Sequence, residues 1–137
     1  MVGYPVSFTQ RVIWRDLDAL QHVNNAVYAT YFETARFMYF EALARLGAPQ
    51  LGVMLAEITI TYKSPAFLGE TLMLGIRVCE MRNSSYVMES EIHEQRSGRL
   101  VAASRAVMVS FDFAENRSRP LPPEWRQAVA QVEGHEF

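Results

Sequence analysis

Alternation of period two opens the chain. Val6, Phe8, Val12 and Trp14 are apolar while Ser7, Thr9, Arg11 and Arg15 are polar, the pattern of a strand with one buried face. That strand is expected to run into the acidic stretch Arg15-Asp16-Leu17-Asp18. From about Asn24 to Leu46 the period changes: no Gly or Pro interrupts the run, and Gly47 and Pro49 follow it, so a helix is predicted. Its apolar residues, among them Val27, Tyr28, Tyr31, Phe32, Ala35, Met38, Tyr39 and Ala42, cover more than one stripe. A helix this apolar should be wrapped by other elements.

The rest of the chain returns to period two. Met54 to Lys63 sets Ile58, Ile60 and Tyr62 against Glu57, Thr59 and Thr61, and Pro65 and Gly69 break the run. Leu72, Leu74, Ile76 and Val78 mark a further strand, Tyr86, Met88 and Ile92 another, and Val101, Val107, Val109 and Phe111 the last, with Ser97-Gly98 as a turn. Consecutive strands with short connections predict an antiparallel meander. The small residues Ala102, Ala103, Ser104 and Ala106 would let a helix lie close against the last strand. Pro122-Pro123 followed by Glu124 to Val132 reads as a short terminal helix. The fold class is therefore α+β, one domain over residues 1–137 with a sheet curled around a long helix.

Composition narrows the function classes. With a formal charge of -2 there is no positive field to attract nucleic acid or an anionic membrane, and a small-molecule substrate fits better. No apolar run reaches the length of a membrane span, and the first residues lack the pattern of a secretory signal, so a cytoplasmic location is expected. The lone Cys79 reads as a small buried hydrophobe rather than a nucleophile. His93 and His135 have no Cys or acidic neighbours at metal-ligand spacing, and no phosphate-binding glycine loop occurs. Neither metal nor cofactor is expected.

The run Asp16-Leu17-Asp18-Ala19-Leu20-Gln21-His22-Val23-Asn24-Asn25, followed by Tyr28, Tyr31, Glu33, Ala35 and Arg36, resembles the hot-dog-fold thioesterases. The likeness is strongest to the 4-hydroxybenzoyl-coenzyme A thioesterase-like group and its long-chain acyl-coenzyme A members. Tyr62-Lys63-Ser64-Pro65 and Arg82-Asn83-Ser84-Ser85-Tyr86 also fall where such proteins carry similar segments. Many members have Gly where Gln21 stands here. The resemblance implies a single hot-dog domain that hydrolyses acyl-coenzyme A, with Asp18 as nucleophile or general base and the backbone N–H near Asn25 polarising the thioester carbonyl.

Elementary chemistry agrees with that implication. Thioester hydrolysis needs a base near the carbonyl carbon and donors aimed at its oxygen, and a helix start supplies unpaired N–H groups and a favourable dipole. His22 either orients Asp18 or bonds to backbone, Asp16 reads as structural, and Asn24 is an N-cap candidate that also stands near the substrate. Glu33 is expected to pair with Arg36 at i,i+3, while Glu33 and Glu41 are fallback catalytic carboxylates. Tyr28 is a further candidate for substrate contact. The resemblance implies subunits paired into a homodimer or homotetramer. We expect the Met54 to Lys63 strand at that interface, bringing Glu57 and Thr59 of one subunit toward Asp18 of the other. Lys63, Arg82, Ser84 and Ser85 are candidates to meet the phosphates of coenzyme A. Two readings compete with hydrolysis: a hot-dog hydratase or dehydratase using Asp18 and His22, and a noncatalytic acyl-binding domain.

Overall fold

The computed structural model describes residues 1–137. Strand β1 (Val6–Arg11) leads through a 3-10 turn (Trp14–Asp16) to helix α1 (Asn25–Arg45). Strands β2 (Val53–Tyr62), β3 (Thr71–Met81), β4 (Ser85–Glu94) and β5 (Leu100–Asp112) follow, then the short β6 (Arg117–Ser118) and helix α2 (Pro123–Glu133). The main sheet is antiparallel in the order β1-β3-β4-β5-β2, with β6 added to β5.

The expected meander holds only for β3, β4 and β5. Strand β2 does not pair with β3 but crosses to the far edge beside β5, and β1 occupies the opposite edge. Register explains why this arrangement is stable. Phe8, Leu74, Ile92, Ala102 and Tyr62 form one row across five strands, and Val78, Met88, Ala106 and Ile58 form another, so the apolar side chains of every strand share one face. Helix α1 lies on that face and comes closest to β1 and β3. The small residues of β5 are thus not its point of closest approach.

The wrapping of α1 is also less complete than its composition suggests. Its buried residues, Tyr28, Tyr31, Phe32, Ala35, Arg36, Tyr39 and Leu43, make a single stripe of helical spacing. The opposite side is open, and Phe37 is 60% exposed. At the far end of the sheet α2 seals the core, its Trp125 ring packing 4.7 Å from that of Tyr86. No helix is long and apolar enough to cross a membrane.

Two residues depart from the sequence pattern for local reasons. Strand β1 ends at Arg11, and Trp14 sits in the 3-10 turn with 79% of its surface exposed. Cys79 is exposed rather than buried because it follows Val78 in the inward series Leu72, Leu74, Ile76, Val78 and so falls on the opposite face of β3. Partial desolvation and the Glu89 carboxylate push its thiol up to about 11, which keeps it protonated and unreactive at neutral pH.

Candidate active site

The segment after the 3-10 turn folds into a tight hairpin. Asp18 N–H donates to His22 O at 3.0 Å, Gln21 N–H donates to Asp18 O at 3.0 Å, and Leu17 bridges Val23. Closing so short a loop requires a left-handed residue, and Gln21 takes that position with φ 64°. This conformation costs a side-chain-bearing residue about 1–2 kcal/mol and none for Gly, which gives the Gly of related segments a physical meaning. The Asp18 side chain is oriented by the same turn: its Oδ1 accepts Leu20 N–H at 2.9 Å.

The other carboxylate oxygen, Oδ2, lies 3.6 Å from His22 Nδ1, with the two side chains 27% and 32% exposed. At that separation the pair is an electrostatic contact and not a hydrogen bond. The Oδ2 atom is thus free to accept a proton or a substrate donor. Asp18 lines a cleft of about 530 Å³ together with Trp14, Arg15, Leu17, Gln21 and Leu68. Arg15, a cation in this cleft, was not singled out by the sequence.

The hairpin is tied to the start of α1. Asn24 N–H donates to Asp16 O at 2.9 Å, so the helix N-cap lies beside Asp16, and Asp18 follows two residues, about 7 Å, further along the hairpin. Asn24 caps the helix as expected, its Oδ1 accepting Ala26 N–H at 2.9 Å, while Val27 N–H donates to Asn24 O. The N–H of Asn25, the first helical residue, has no partner in the chain. It is the donor that the helix start leaves available.

Other predicted residues are distributed differently. Lys63 lies at the same end of the sheet, just beyond Tyr62, whose hydroxyl donates to Asn25 O at 3.2 Å. Tyr28 is 2% exposed and belongs to the core beneath the helix start, which makes it packing rather than substrate contact. Glu57 and Thr59 occupy the outer face of β2, opposite the Ile58 and Ile60 that pack under α1, so from this chain they do not enter the Asp18 cleft. Arg82, Ser84 and Ser85 sit at the far end of β3, roughly 33 Å from the Asp18 end by strand length. There Arg82 pairs with Glu80, and Arg126 of α2 donates to the Arg82 and Asn83 carbonyls. The predicted Glu33–Arg36 pair does not form: Glu33 is exposed and Arg36 is buried. Glu41 instead pairs with Arg45 at 3.6 Å.

Side chains and loops around the hairpin hold it in place. Asp16 Oδ2 accepts both Tyr31 O–H at 2.8 Å and Ile13 N–H at 3.1 Å, binding the 3-10 turn to α1 and giving Asp16 the structural role expected of it. Burial and this carboxylate push the Tyr31 hydroxyl far above its ordinary range. Behind the hairpin, Val23 N–H donates to Ala66 O, and the Ala66 loop is held by Arg99, which pairs with Glu70 at 2.9 Å and donates to Pro65 O. An apolar cleft of about 560 Å³ between the end of α1 and Leu51, Val53 and Trp125 carries one carboxylate, Glu41, on its lining. No cluster of three His, Cys, Asp or Glu side chains that would hold a metal is present.

Comparison with known proteins adds an independent line. Residues 12–129 match the family model described as thioesterase-like superfamily. A thioesterase from Thermus thermophilus, solved in complex with coenzyme A and Zn, is 32% identical with a TM-score of 0.87 over 100% of both chains. The long-chain acyl-CoA thioesterase FadM of Escherichia coli (strain K12) is 27% identical over 119 residues, covering 85% of this chain and 90% of that protein. The acyl-CoA thioesterase YbgC of Haemophilus influenzae is 26% identical over 93% of this chain and 96% of its own.

Proposed function

The chain belongs to the thioesterase-like superfamily and has its hot-dog fold, and from this premise we propose that it hydrolyses acyl-coenzyme A to the free acid and coenzyme A at the Asp18 end of α1. One observation carries the reading. A carboxylate held through one oxygen and open at the other lies in a hairpin that runs directly into a helix start whose Asn25 N–H is unclaimed. A base and an oxyanion donor are what thioester hydrolysis requires.

In the general-base form, Asp18 takes a proton from water as the oxygen attacks the thioester carbon. The carbonyl oxygen becomes negative and is met by Asn25 N–H at the positive end of the α1 dipole. The C–S bond then breaks, the thiolate of coenzyme A leaves, and the proton returns to it. In the nucleophilic form, the Asp18 carboxylate attacks the thioester carbon and the C–S bond breaks to release the coenzyme A thiolate. Water then cleaves the resulting anhydride to the free acid and the Asp18 carboxylate, the released proton passing to the thiolate. Arg15 and Lys63, both at this end, are our candidates for the coenzyme A phosphates in place of Arg82, Ser84 and Ser85. Strand β2 has an unpaired edge that exposes Met54, Leu55 and Tyr62, and we place the contact of a homodimer there.

A panel of acyl-coenzyme A substrates of graded chain length, followed by released thiol, tests the reading. Hydrolysis well above the uncatalysed rate is expected, with medium or long acyl chains preferred. Background rates across the panel, with enoyl hydration visible in the ultraviolet, would transfer the site to the hydratase class.

A further inference from the structure

Asp16 joins the 3-10 turn, the helix cap and the body of α1 at one residue. Its Oδ2 accepts Ile13 N–H at 3.1 Å from the turn and Tyr31 O–H at 2.8 Å from α1, and its backbone O accepts Asn24 N–H at 2.9 Å from the cap. Both reactive groups branch from it. Asp18 follows along the chain after Leu17, and Asn25 follows directly on the Asn24 that Asp16 holds. The separation of the base from the oxyanion donor is therefore set by how Asp16 stands on α1.

The bond from Asn24 alone would leave Asp16 free to pivot about the cap. The bond from Tyr31, in the second turn of α1, removes that freedom. The Tyr31 ring is 4% exposed and belongs to the core with Phe32, Leu72 and Leu74, so its hydroxyl is anchored in close-packed structure. No other side chain of α1 donates to the segment that precedes the helix, and Asp16 is the only partner of this hydroxyl. A hydroxyl given to a carboxylate is among the stronger hydrogen bonds.

We propose that Tyr31 is a positioning residue for hydrolysis: acting through Asp16, its hydroxyl fixes the Asp18 carboxylate relative to the Asn25 N–H. The proposal rests on the thioesterase reading and names the group that sets the geometry of that site. Misplacing a reacting group by about 1 Å is enough to cost roughly 10²-fold in rate. Tyr31 itself is too buried to meet the substrate, so its loss should slow the step in which base and donor act together and leave binding alone.

Steady-state hydrolysis of acyl-coenzyme A by Tyr31→Phe, with circular dichroism to check folding, tests the role. The ring keeps its packing, so the variant should be folded at the assay temperature. Its kcat should fall about 10- to 100-fold with KM within about threefold of the parent, the mark of an interaction expressed only in the transition state. Asp16→Ala should lose kcat in the same way, and adding Tyr31→Phe to it should cost nothing further, because the hydroxyl then has no partner to act through. Asp16→Asn keeps an oxygen for both donors and should recover most of what Asp16→Ala loses. A folded Tyr31→Phe with the kcat of the parent overturns the proposal, as does a rise in KM alone, which would make Tyr31 part of the binding surface. Losses that multiply in the double variant overturn it too, since the hydroxyl would then act by another route. Should Tyr31→Phe fail to fold, the Asp16 variants decide: Asp16→Asn no more active than Asp16→Ala overturns the role. A parent without hydrolysis removes the thioesterase reading and the proposal with it, whereas an active parent with an unaffected Tyr31→Phe removes the proposal only.

Discussion

The two ends of the sheet are built from similar strands but finished in opposite ways. At the far end α2 and the segment leading into it close the core with Leu121, Trp125 and Val129, all buried. Glu133 there is used twice, accepting Tyr39 O–H at 2.6 Å and Val78 N–H at 2.9 Å. At the Asp18 end the chain is held by hydrogen bonds between loops, and two groups, Asp18 Oδ2 and Asn25 N–H, are left without a bonded partner. One end is closed by apolar packing, and seals even the unpaired hydroxyls of Tyr86 and Ser110 from solvent. The other withholds satisfaction from the groups that a substrate would engage, a pattern expected of a reactive site.

The largest effect that would sharpen this contrast is at Asp18. Replacing it with Asn keeps the shape and removes the charge, so turnover should fall by about 10²- to 10⁴-fold with the melting temperature nearly unchanged. A loss under about tenfold would break the assignment. The mirror experiment is Trp125→Ala at the sealed end, which should cost about 3–5 kcal/mol in denaturant unfolding while the remaining folded protein keeps its kcat. If kcat collapsed with stability preserved, the two ends would not be separate in function.

Asn25 separates side chain from backbone within the reactive end. Asn25→Ala retains the N–H and should stay active, whereas Asn25→Pro removes it at a first helical position where proline is tolerated. The proline variant should lose about 10²- to 10³-fold in turnover, and a folded variant with near-normal turnover would exclude this donor. The smallest change concerns the hairpin itself. Gln21→Gly should stabilise the fold by about 1 kcal/mol, because Gly occupies the left-handed conformation without strain. Unaltered thermal unfolding would mean that Gln21 is not strained in solution.

Much of this molecule was legible from local pattern. The helix from Asn25, its Asn24 cap and its stop at Gly47 depend on neighbours in sequence, and the structure places them within a residue of expectation, whereas β1 ends at Arg11, short of the expected Trp14. The Asp18 to Asn25 run pointed to a loop and a helix start for the same reason: turn and cap chemistry is decided within a few residues.

Tertiary structure decided what no local window contains. The passage of β2 to the far edge and the burial of Tyr28 follow from which strands pair and where α1 settles. Alternation says that Glu57 and Ile58 face opposite ways but not which of them faces α1, and a motif position says nothing of the 11-residue strand that separates Arg82 from the Asp18 end. Glu33 and Arg36 show the limit most directly. Sequence spacing permits their pairing, but a guanidinium at the edge of the buried stripe turns into the core, and its carboxylate neighbour stays in solvent. Sequence thus set the elements and the reactive motif, through short-range backbone and capping preferences. Long-range burial of apolar surface chose which side chains meet.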